Sequence, residues 1–299
     1  MNFTSWLGLP CVRRIFYHFC ATQRSARALA SFSLHFSAGK PPLRLSISQS
    51  LRTFQPPRNN VGYQNQDLTG QVAPSIGATF VGVGAETFKL GEITVSGFYY
   101  DKEVLQVLST ANASTIAQYT YVTEEMDEED FDGDGAAVGW WIKGQEGEDG
   151  GSANEISFNP GQGFLGNFGK KGVSLTYAGQ VIGGSTELDF TGMVSPFVAN
   201  FLPKDIKLGD VAVEGFFYDK EVLQVLDTAT ASTSAQYTYV TEEMDEEDFD
   251  GNGAAVGWWI KGQEGEEGGS ANNVVWPAGQ AMLGNFGKKS VKLTFPSAL

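Results

Sequence analysis

Beyond residue 60, apolar and polar positions alternate with period two in short runs set between glycines. In EITVSGFYY (92–100), Ile93 and Val95 alternate with Thr94 and Ser96. In AQYTYVT (117–123), Tyr119 and Tyr121 alternate with polar or β-branched neighbours. In AVGWWIK (137–143), Val138, Trp140 and Ile142 fall on one face and Trp141 on the other. In VSLTYAG (173–179), Val173, Leu175 and Tyr177 share a face. Such alternation among β-branched and aromatic residues, bounded by turn formers, marks half-buried strands. KEVLQVLS (102–109) fits a short amphipathic helix or a strand buried on both faces; TANAST behind it continues a helix poorly, which favours the strand. Six to eight short strands per unit predict an all-β, sandwich-like fold.

The pattern occurs twice. Tyr121 corresponds to Tyr239, Trp140 to Trp258 and Asn167 to Asn285, each 118 positions apart, and between residues 98–154 and 216–272 there are 51 identities in 57 positions. The openings match as well: DLTGQVAPS (67–75) and DFTGMVSPF (189–197) lie 122 apart, so the second copy lost four residues before KLGD. Repeats this long are domain-sized. The expected organisation is a basic leader over 1–59, a first β-sandwich repeat over 60–181 and a second over 182–299, each folding on its own. Copies so alike share one job, which favours binding or spacing over a single catalytic centre.

Charge sets the leader apart. The first 60 residues carry seven Arg, one Lys and no acid, a charge of +8; the remaining twelve Lys and 35 acids leave −23. Both His, both Cys and every Arg lie in that first segment. Its composition reads as a disordered leader or a misplaced start, with a targeting segment or a basic arm as alternatives. A body this acidic disfavours nucleic acid as a partner. No run approaches 18 apolar residues, so no transmembrane helix is expected.

The chemistry available to the body is narrow. Without His, Cys or Arg after Arg58 it can form no Ser-His-Asp triad, no Cys-His pair, no His-ligated metal site and no arginine clamp on phosphate. Carboxylate chemistry of the glycosidase kind is all that is left, and nothing singles out a pair among 35 acids, so the chain reads as no enzyme. The acidic runs are the sharper feature. Asp130, Asp132 and Asp134 precede Gly135; Asp248, Asp250 and Asn252 precede Gly253. Oxygen ligands at alternate positions followed by a turn glycine form the first half of a calcium loop. The place of its closing bidentate Glu is held by Trp141 and Trp259, so this is no EF-hand; Glu124, Glu125, Asp127, Glu128 or the GQEGEDGG loop would have to complete the shell. The alternative is a solvated acidic loop that keeps a sheet edge from self-pairing. In the Gly-Trp-Trp strands one indole should enter the core. The other, Trp141 or Trp259, would lie outward or under a loop, where an exposed ring could stack on a sugar.

The ordered series NNVGYQNQDL, KLGEITVSG, YTYV, GWW, NPGQGFLGNF and VSLTYAGQV resembles a family of secreted repeat proteins from gut and aquatic bacteria of the Planctomycetes–Verrucomicrobia–Lentisphaerae group. The resemblance spans both copies. It implies export and a β-rich fold and brings no activity or binding residues with it. The chain departs from that family at its N-terminus, where an ordinary signal peptide would stand. The expectation is a secreted or cell-surface structural or adhesive module, with calcium as its cofactor and an extracellular glycan or another surface protein as its partner; the alternative is a carbohydrate-binding protein using Trp141 or Trp259.

Overall fold

The computed structural model describes residues 61–98, 103–126, 138–169, 172–216, 220–243, 256–287 and 290–299; the basic segment 1–59 lies outside them. Short strands follow one another with glycine-rich turns between, as the alternation requires. In the first copy they are β1 (Val61–Asp67), β2 (Ser75–Gly77), β3 (Phe88–Lys89), β4 (Ile93–Ser96), β5 (Val104–Leu108), β6 (Thr115–Val122), β7 (Gly139–Ile142), β8 (Ser157–Phe158), β9 (Gly163–Asn167) and β10 (Ser174–Gln180). In the second they are β11 (Thr186–Asp189), β12 (Phe197–Ala199), β13 (Ile206–Lys207), β14 (Ala212–Glu214), β15 (Val222–Leu226), β16 (Thr233–Val240), β17 (Gly257–Ile260), β18 (Val275–Trp276), β19 (Ala281–Asn285) and β20 (Lys292–Phe295). Within the ambiguous run 102–109, Val104–Leu108 form strand β5, as the poor helix continuation suggests.

The strands assemble into antiparallel sheets that recur in the same order. The first copy has β1-β10-β4, β2-β9-β5-β6-β7 and β3-β8; the second has β11-β20-β14, β12-β19-β15-β16-β17 and β13-β18. The fold is all-β and sandwich-like, with each copy enclosing an aromatic core. In the first, Ile93 and Val95 of β4 and Leu175 and Tyr177 of β10 meet Leu105, Phe164 and Trp140 from the five-stranded sheet. Their counterparts Val211, Leu293, Phe295, Leu223, Met282 and Trp258 do the same in the second. Edge-to-face contacts of Trp140 with Phe98 and Tyr121, and of Trp258 with Phe216 and Tyr239, repeat almost unchanged. Val138, expected beside Trp140 and Ile142, falls outside β7 and is exposed, because the strand begins only at Gly139.

The copies also meet each other, and both belong to one compact unit. The N–H groups of Val72 and Ala73 donate to the Thr228 carbonyl (2.9 and 2.7 Å), and those of Val194 and Ser195 donate to Thr110 (2.8 and 2.7 Å). Gly77 N–H donates to Gly279 O, and Ala199 N–H to Gly161 O, each at 2.8 Å. Ile76 bridges to Gln280, and Val198 to Gln162. Moving along the chain by 122 positions before the four-residue deletion and 118 after it turns each of these interactions into its partner. The two copies are therefore related by an approximate twofold axis, with an apolar cluster of Phe197, Ala199, Leu226 and Ala281 beside it, against which Leu108, Leu165 and Leu283 pack.

Candidate functional site

The acidic runs grow out of the hairpins β6–β7 and β16–β17, and the sequence of each stem explains how firmly it is held. Register pairs Tyr121 with Trp140 and Val122 with Gly139. Gly139 has φ 129, and a Cβ there would run into the Asn154 side chain, 2.8 Å from its Nδ2. Glycine thus lets Asn154 close over the strand, where its Oδ1 accepts the Trp140 backbone N–H at 2.9 Å. The Trp140 indole N–H donates to Ile93 O at 3.1 Å, across the core to the three-stranded sheet. The second copy repeats this with Gly257, Asn272 and Trp258, whose indole reaches Val211 O at 3.3 Å.

Trp141 lies on the opposite face. That face is not open: Trp141 packs with Val122 and with Met126, from a single helical turn at 124–126, and is only 6% exposed. Trp259 is buried to the same degree. The exposed-indole reading is corrected here for both residues. Strand alternation sends neighbouring side chains to opposite faces, but in the first copy the chain leaving β6 folds back over the second face and covers it. A buried ring offers no face for a sugar to stack on.

The proposed ligands Asp130, Asp132, Asp134, Asp248, Asp250 and Asn252 lie outside the described residues. Glu124 and Glu125 are exposed where the first run begins. The GQEGEDGG loop is a ladder of turns: Gln145 N–H donates to Ile142 O, Glu148 N–H to Gln145 O and Gly151 N–H to Glu148 O, at 2.9, 3.1 and 3.0 Å. Gly144, Gly147 and Gly150 supply the left-handed residue in each step. Glu146 Oε1 accepts the Gly144 N–H at 2.9 Å. Among the described residues no three acids, histidines or cysteines converge as a metal site would.

Two clefts flank the approximate twofold axis. One, of about 500 Å³, is walled by Leu108, Pro160, Leu188, Met193 and Phe197, with Glu86, Glu187 and Asp189 also lining it. The other, of about 300 Å³, is its twofold mate, where Gln66 stands for Leu188 and Ser75 for Phe197. There Gln66 Nε2 donates to Gly279 O at 2.9 Å. Glu187 pairs with Lys292 at 2.9 Å, a hydrogen bond that raises the lysine's pKa. Asp189 takes the Thr191 N–H at 2.8 Å, and its hydrogen bonds from Thr191 hold its carboxyl below the usual range. Glu187 and Asp189 are committed to local structure.

Sequence reasoning missed two buried acids, Glu103 and Glu221, each at the entry to a VLQVL strand. Their position after Asp-Lys reads as an ordinary solvated turn, and no pattern marks them. Thr120 Oγ1 and Thr238 Oγ1 donate to the backbone carbonyls of these residues at 3.1 and 3.0 Å. It also missed Asn200, wholly buried, whose Nδ2 donates to Lys204 O and Trp276 O and whose Oδ1 accepts the Leu202 N–H. Among the described residues no helix is long and apolar enough to cross a membrane. No family model matches the chain, and neither a curated protein nor a solved structure matches it.

Proposed function

We propose that the chain is an exported structural or adhesive module of a bacterial surface, and that its two acidic loops take up calcium. The mooring of those loops is the observation that supports this reading most. Each run returns to the sheet at a Gly-Trp strand start that is bonded to an asparagine on one side and, through the indole, to the facing sheet on the other. The first run also departs from a Met126 packed on Trp141. A loop held at its base loses less entropy when a cation gathers its carboxylates. Export rests on the resemblance to secreted repeat proteins. A binding or structural role rests on the absence of His, Cys and Arg after Arg58. The partner class is an extracellular glycan or another surface protein, met by some surface other than the buried indoles.

The test is calorimetry of the full chain at low ionic strength. Calcium should raise Tm in step with RT ln(1 + [L]/Kd), and magnesium should do less, because it demands near-octahedral geometry and gives up its water reluctantly. Asp132→Ala with Asp250→Ala should remove the calcium effect. A melting curve that EDTA and millimolar calcium both leave unmoved would reduce the runs to solvated loops.

A further inference from the structure

Gly77 closes β2 and Gly163 opens β9, paired with each other in register, and a glycine in a ladder leaves nothing to pack. Neither has a positive φ, so the backbone does not ask for glycine at either place. Space does. A Cβ on Gly77 would overlap the Cβ of Ala199. A Cβ on Gly163 would stand 2.7 Å from that of Ala281 and 3.1 Å from Phe197 Cδ1. Both positions face the other copy, and both face their own equivalents: Gly77 and Ala199 are 122 apart in the repeat, Gly163 and Ala281 are 118 apart. Equivalent residues meet only on a twofold axis. At each of these two points the axis holds one methyl group, with room for no second.

We propose that these positions key the pairing of the two halves, so that the glycine-bearing surface accepts the alanine-bearing one and the alanine-bearing surface rejects its own kind. Two second copies brought together in this way would set Ala199 against Ala199 and Ala281 against Ala281, with methyls inside contact distance at both. Two first copies would set glycine against glycine and lose the packing of both alanines and of Phe197, whose place is taken by Ser75. Selectivity thus comes from a clash built against the wrong pair as well as from a fit to the right one. The surface is also self-complementary in outline, and in this chain both of its sides are used within the molecule. A third repeat or a second chain has no way to add through it, and the pair is closed.

Melting of the full chain carrying Gly77→Ala, Ala199→Gly, and both together tests the idea. Gly77→Ala alone should lower Tm by several degrees or prevent folding, because neither methyl can retreat from a strand. Ala199→Gly alone should lower it less, since it only removes a methyl. The reciprocal double variant moves the methyl to the other side of the axis and should melt within about 2 °C of wild type, the coupling expected of residues in contact. At the second pair, Gly163→Ala should be rescued only in part by Ala281→Gly, because Phe197 still crowds the new methyl. A double variant at 77 and 199 that loses the sum of the two single losses would overturn the proposal; Gly77 would then be required by its own half alone.

Discussion

Ala113 and Ala231 are the residues held most against their nature. Both have φ 55, in the left-handed region that a side chain disfavours. They sit in the β5–β6 and β15–β16 hairpin loops, where Ala113 N–H donates to Ser109 O and Ala231 N–H to Asp227 O at 2.9 Å. The same loops carry Thr110 and Thr228, whose carbonyls each receive two N–H groups from the other copy. Strain of about 1–2 kcal/mol per alanine is thus tied to presenting the acceptor. Ala113→Gly with Ala231→Gly relieves it while freeing the unfolded chain, and the net gain should be up to about 1 kcal/mol each, a rise of a few degrees in Tm. No rise would mean the surrounding loop already absorbs the strain. Asp227, in the same turn, makes a second test. Hydrogen bonds from the Thr230 side chain and the Ala229 N–H hold its carboxyl below its ordinary value of 3.8. Its charged form therefore stabilises the fold fully above that value, and the contribution is lost as pH falls through the depressed one. Asp227→Asn keeps the acceptor and removes the titration, so the Tm gap between wild type and variant should hold above about pH 4 and shrink as the pH falls below it. A constant gap would show that the charge contributes nothing.

At the scale of elements, Trp141 shows where periodicity stops. The alternation in GWWI places Trp140 and Trp141 on opposite faces, and it predicts Trp140 in the core. It says nothing of what lies over the second face. That depends on Met126, fifteen positions upstream, and on a helical turn too short to leave a pattern. Met126→Ala should uncover the indole. Tryptophan emission should shift to the red and stability should fall by about 2–4 kcal/mol, the usual loss for a buried methionine; unchanged emission would place another group over Trp141. The strands with one wet face were legible for the converse reason: in β4 and β10 solvent and core alternate as the letters do. β2 and β12 were not legible. Each is three residues long and buried throughout, so no alternation survives in SIG or FVA. Of the candidate site, the duplication, the acid-then-tryptophan order and the core role of Trp140 could be read from the chain. The asparagine clasp could not, because Asn154 and Asn272 look like any loop residue before a strand.

At the scale of the whole molecule, the duplication was plain in the letters, but the same letters serve two independent beads or one closed pair. The difference lies in a few backbone groups, which carry no residue identity. Val72, Ala73 and Gly77 and their counterparts Val194, Ser195 and Ala199 bond across the axis through main-chain atoms. The glycine–alanine exchanges, with Ser75 for Phe197 and Gln66 for Leu188, do leave a trace in sequence, and they look like drift until the halves are brought together. Each half has its own core, whereas the Phe197–Ala199–Leu226–Ala281 cluster draws on Leu108 and Leu165 from the first copy. Covalent linkage should therefore be dispensable once the chain has folded. The connection at Gly183 and Gly184 is exposed, and a Cβ added to Gly184 would meet nothing within 4 Å, so a protease site inserted between them should be cut without disturbing either sheet. After cleavage the two pieces should still migrate as one species in gel filtration under native conditions and should separate in denaturant. If they part under native conditions, the main-chain bonds and bridges across the axis are too weak to hold the halves. The tandem would then be two tethered sandwiches whose contact depends on the high local concentration that the linker imposes.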